Sequence, residues 1–136
     1  MVVVTEANLD EVLLEMIPEA AALYREKVEE DRSYMGDPES LPSAYTVLSE
    51  VFLHGTLGPS GTASSAASAT EADLQGRCFA FIDLVLASPD KYVRDAAIIR
   101  IARKIGQYFE PEVLRGLAGQ NLTQLLTTER PFDLGL

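Results

Sequence analysis

The chain has 136 residues, a single cysteine and 47% hydrophobic residues, with 21 Asp and Glu against 11 Lys and Arg for a net charge of −10. That length suits one domain over 1–136, and that apolar content suits a packed core. The negative balance argues against nucleic acid, whose binding rests on Lys and Arg neutralising phosphates, and against anionic membrane surfaces.

In chain order, Val2 to Val4 is the only β-like run, and it falls far short of the ~20 apolar residues that a membrane span needs. With no secretory signal and a lone thiol, the expected compartment is reducing and cytoplasmic. Leu9, Val12, Leu13 and Met16 recur at helical spacing and predict a short first helix. Pro18 then opens a second, rich in strong helix formers from Glu19 to Glu30. Residues 33–41, with Gly36 and Asp37-Pro38, read as a loop. Pro42 begins a third helix with a buried stripe of Tyr45, Leu48, Val51 and Phe52, and Gly55 is the expected left-handed stop.

Gly58 to Ala69 holds no charge and no large apolar side chain, which predicts a flexible connector. Beyond it, Thr70 has the spacing of a helix cap, and Leu74, Cys78, Phe81, Ile82, Val85 and Leu86 mark one apolar face. Ser88-Pro89 ends that helix. Val93 to Ile105 places Ala97, Ile98, Ile101, Ala102 and Ile105 together, with Arg103 and Lys104 turned away and Gly106 as cap. Shorter helices are expected from Pro111 and around Leu122, and an extended tail over Pro131 to Leu136. The whole reads as all-α, a compact bundle of about six helices.

The run Asp90 to Gly106 resembles the helical unit of HEAT-type repeats, through Asp90, Val93-Arg94, Ala97, Ile101 and Ile105-Gly106. The resemblance implies an antiparallel hairpin over residues 77–106, in which Ala97 admits a neighbouring helix and the Val and Ile positions fill the seam. Adjacent Ile98 and Ile99 depart from the regular pattern, and no second copy follows at a ~40-residue period. The order of acidic helical half, connector and hairpin is also similar to small all-helical bacterial proteins, some of which act as immunity partners of toxins.

Little in the sequence points to catalysis. His54 is the only histidine, four residues after Glu50, and nothing nearby supplies a metal-ligand spacing. Cys78 lies on an apolar stripe with no activating base in view. No glycine-rich phosphate loop is present, so neither cofactor nor metal is expected. Arg94 reads as structural, its stem along the core edge and its guanidinium on a carboxylate or carbonyl.

The charge is uneven: residues 1–57 carry −9 and residues 70–136 carry −1. Glu26, Glu29, Glu30, Asp31, Asp37 and Glu39 bunch together, three of them where acids oppose a helix dipole. Tyr34 and Tyr45 flank the group as aromatic anchors. The expected function is therefore an acidic protein-interaction module of immunity or inhibitor type, binding a basic protein. The alternative is a small-molecule-binding or catalytic helical domain with a pocket near His54 and Cys78.

Overall fold

The computed structural model describes residues 3–62 and 69–128, and within them every regular element is helical. Seven helices are present there, against the six or so expected. They are α1 (Leu9–Met16), α2 (18–35), α3 (44–62), α4 (Ala69–Leu86), α5 (91–102), α6 (Pro111–Leu117) and α7 (Gln120–Thr128). None of them is long and apolar enough to cross a membrane.

The central element is α3. Of the eleven residues Val47–Leu57, seven are buried, including Leu48, Phe52 and Leu57. A helix so apolar around its circumference can satisfy its side chains only inside the molecule. It is met by the first turn of α2, by α4, with Cys78, Phe81, Ile82 and Val85, and by α5, with Val93, Ala97 and Ile101, while α1, with Leu9 and Leu13, packs on α4, all in one continuous cluster. Phe52 and Phe81 lie at its heart with ring centroids 5.0 Å apart.

The winding is unusual. After its first turn, Ala44–Thr46, α3 widens to i→i+5 bonding over Val47–Leu57, and α5 does the same over Ile98–Ala102. Arg103 N–H accordingly donates to the Ile98 carbonyl. The wider turn in α5 falls where Ile98 and Ile99 stand side by side. There Ile101 and Ala102 are buried and Ile99 is exposed.

The glycines correct the sequence reading. Gly36, with φ of 67°, is the one described glycine in the left-handed region, so the helix stop is there and α2 runs on to Met35. Gly55 does not end α3; a Cβ there would lie 2.0 Å from Leu23 Cδ2, so its bareness lets α2 settle against α3. Gly58 does not open a connector either. Gly58–Thr62 continues α3, with Gly58 against the Tyr108 ring, and Ala69 already belongs to α4. Only 63–68 of the expected connector remains, and it lies outside the described residues, as does the tail from 129. Gly106 sits in a short 3₁₀ turn, Ile105–Gln107, and caps nothing.

The joints between helices are polar. Arg77 of α4 reaches the α1–α2 corner, donating to the Met16 carbonyl at 3.0 Å and to both carboxylate oxygens of Glu19. Ser88 and Asp90, between α4 and α5, hold the N-terminal segment: the Ser88 hydroxyl donates to the Val4 carbonyl, and Asp90 accepts Glu6 N–H at 2.9 Å. Val4 is thus packed into the core without forming a strand. Arg94 behaves as expected, donating to the Ser88 carbonyl at 2.7 Å.

Candidate interaction surface

The last turns of α2 carry most of the acidic group. Past Gly36 the chain folds back on them: Arg32 Nε donates to the Ser40 carbonyl at 3.1 Å, and the Ser40 hydroxyl donates to Asp31. Asp37 accepts Glu39 N–H at 2.9 Å, closing a tight Asx turn. The result is a braced tip, 26–41, in which only Val28 is buried.

On that tip Tyr34 is 89% exposed, Met35 60% and Leu41 54%. Around them Glu26, Glu29, Glu30, Asp37 and Glu39 are exposed too. Lys27 is shared between Glu30 at 3.3 Å and Glu50 at 3.1 Å, and hydrogen bonding to Glu50 raises its pKa. Two of the expected residues have other surroundings. Asp31 is half-buried and braces the loop through Ser40, so it is part of the scaffold. Tyr45 is half-buried in the first turn of α3, its ring 5.6 Å from that of Tyr92 with Arg100 stacked over it at 5.4 Å. Met35 and Leu41 were missed because 33–41 read as a polar loop. Their signal was two large apolar side chains bracketing a turn with no helical stripe to join.

Two further titratable pairs fasten joints between helices. Tyr24 donates to Asp10 at 2.6 Å, fastening α2 to α1, and burial raises the Asp10 carboxyl above the ordinary carboxylate range. Glu19 is held down to about 2 by the Arg77 hydrogen bonds.

His54 is exposed, its Nδ1 sharing a hydrogen bond with the Tyr108 hydroxyl, while Glu50 turns to Lys27 instead. Cys78 is fully buried and its thiol is pushed up to about 12 by desolvation, leaving almost no thiolate at neutral pH. An open cleft of about 530 Å³ lies elsewhere, between α4 and the α6–α7 corner, lined by Phe79, Asp83, Leu84 and Leu117 but by neither His54 nor Cys78. Its one carboxylate, Asp83, is occupied by the amides of Asn121 and Leu122. Among the described residues, no three of His, Cys, Asp and Glu converge as metal ligands.

Comparison of the chain with protein-family models, with curated proteins and with solved structures finds no match.

Proposed function

We propose that the chain is an acidic protein-interaction module, of immunity or inhibitor type, whose α2 tip receives a basic protein partner. The observation that carries this reading is that Tyr34, Met35 and Leu41 are all exposed on a braced tip whose residues 26–39 also expose five acids. Large apolar side chains grouped at a surface favour association once a partner excludes water from them. The surrounding field steers cationic surfaces toward them and repels anionic ones. Within the same reading, α4 and α5 form a HEAT-like hairpin. Support comes from their mutual packing, the short turn between them and the buried Ala96 and Ala97 at the seam.

The test begins with a photo-crosslinking side chain placed at Tyr34 to capture the partner, followed by stopped-flow association across an ionic-strength series. The rate should fall steeply as salt rises. A Glu26→Lys/Glu29→Lys/Glu30→Lys variant should associate at least about tenfold more slowly. Tyr34→Ala should mainly speed dissociation. A salt-independent rate, with full-speed binding by the triple variant, would overturn the reading.

A further inference from the structure

We infer that a second copy of this chain is one partner of the tip, docking so that each protomer's α2 tip lies on the other's α5 face. This rests on the reading of the tip as a docking surface and names the chemistry that meets it.

The two halves of the contact lie at the same end of the molecule. The Lys27–Glu50 pair, at 3.1 Å, and Leu23 against Gly55 set α2 and α3 antiparallel. From that pair, Met35 is eight residues onward and Tyr45 five residues back, roughly 12 Å and 8 Å along neighbouring axes at helical rise. Tyr45 therefore lies at the same end of the molecule as the last turns of α2, turned toward α5. Against Tyr45 lie Tyr92 and Arg100, both on the outer side of α5. That side also presents Ile99, 36% exposed, and Tyr92 is itself 37% exposed.

The charges match. The exposed charges of residues 26–39 are Glu26, Glu29, Glu30, Asp37 and Glu39 with one base, Arg32, and those of residues 91–104 are Lys91, Arg100 and Lys104 with no acid, although Lys91 also pairs with half-buried Asp95 at 2.7 Å. The tip offers Tyr34, Met35 and Leu41 within acids; the α5 face offers Tyr92 and Ile99 among Lys91 and Arg100. A surface whose acidic apolar half adjoins a basic apolar half is self-complementary under a two-fold axis. The same contact then forms twice and the assembly closes as a dimer. The net charge of −10 opposes any meeting of copies at long range. At physiological salt that repulsion is screened within about 8 Å, while contact pairs a few ångströms apart keep much of their attraction.

Sedimentation velocity of the whole chain at physiological salt, from micromolar to near-millimolar loading, provides the test. The wild type should populate a dimer. Glu29→Lys/Glu30→Lys on the tip should weaken it by at least about tenfold in Kd, and so should Lys91→Glu/Arg100→Glu on α5. An equimolar mixture of the two variants should restore association, because each reversed tip then meets a reversed face. All four positions are exposed, so both variants should keep the wild-type circular dichroism spectrum. A monomeric wild type throughout, a dimer indifferent to both variants, or a mixture that fails to associate would overturn the inference. The broader reading fails separately. A foreign basic partner should be lost by the tip variant and kept by the α5 variant, and its binding by a monomeric wild type would sink only the dimer.

Discussion

Two neighbouring stretches of similar length show how differently this molecule uses its residues. Ala21–Met35 of α2 buries one side chain, Val28, whereas Val47–Leu57 of α3 buries seven. The first is attached by a few directed ties: Tyr24 to Asp10, Lys27 to Glu50, and Leu23 seated on Gly55. The second is held on every side by apolar neighbours. Burial on that scale dominates stability, so α3 secures the fold and α2 is left free to vary its outward chemistry.

The sharpest test sets one residue of each stretch against the other. Phe52→Ala should destabilise the protein by about 3–5 kcal/mol, through lost burial and the cavity left against Phe81. Tyr34→Ala, on a residue almost wholly in water, should stay within about 0.5 kcal/mol. Urea denaturation of both variants measures the contrast, and similar costs would erase it.

The seam itself comes next. Gly55→Ala places a methyl 2.0 Å from Leu23 Cδ2, which must turn aside, and 2.6 Å from the Glu50 carbonyl oxygen of α3 itself, which must give. A loss of about 1–3 kcal/mol is expected by the same assay. An unchanged or raised stability would show that α2 sits more loosely than described.

A smaller effect should appear with acid. The Glu19 pKa is depressed to about 2 by Arg77, so its contribution is present above the ordinary value of 4.5 and is lost as pH falls from there toward 2. Because Glu19 is exposed, the effect should be modest and should shrink in salt. In Glu19→Gln, thermal melts between pH 5 and pH 2, a window set by about those two pKa values, should show a flatter decline than wild type. Equal slopes would mean that the Arg77 corner adds nothing to holding α2. Least of all, Glu29→Lys/Glu30→Lys should leave stability within about 0.5 kcal/mol while changing association.

What was legible in the sequence was what local chemistry decides. Pro18, Pro42, Ser88-Pro89 and Pro111 each mark a helix entrance, and Leu48, Val51 and Phe52 of α3 and Cys78, Phe81, Ile82 and Val85 of α4 are buried as the spacing predicts, with Tyr45, Leu74 and Leu86 half-buried at the stripe ends. The glycines were misread because their role depends on a distant neighbour. Gly55 is explained by Leu23 and Gly58 by Tyr108, and no local pattern announces either. The same holds for the surface. Glu26, Glu29, Glu30, Asp37 and Glu39 could be read as exposed acids, but only the folded loop shows that Asp31 braces Ser40. Only the packing of α3 on α5 removes Tyr45 from the tip and gives it to Tyr92 and Arg100.

The capping of α7 bears on the order in which the chain assembles. Its N-terminus is closed by Asp83, a residue of α4, whose carboxylate accepts the amides of Asn121 and Leu122 at 3.0 and 3.1 Å across 38 and 39 residues of sequence. Asn121 returns a bond to the Asp83 carbonyl at 3.1 Å, and the bare Gly119 lets the two segments meet. A nine-residue helix is too short to persist in water by itself, and this one's first amides are satisfied by a side chain from elsewhere in the fold. α7 is therefore expected to form only once α4 is in place to cap it, closing the α4 flank of the core.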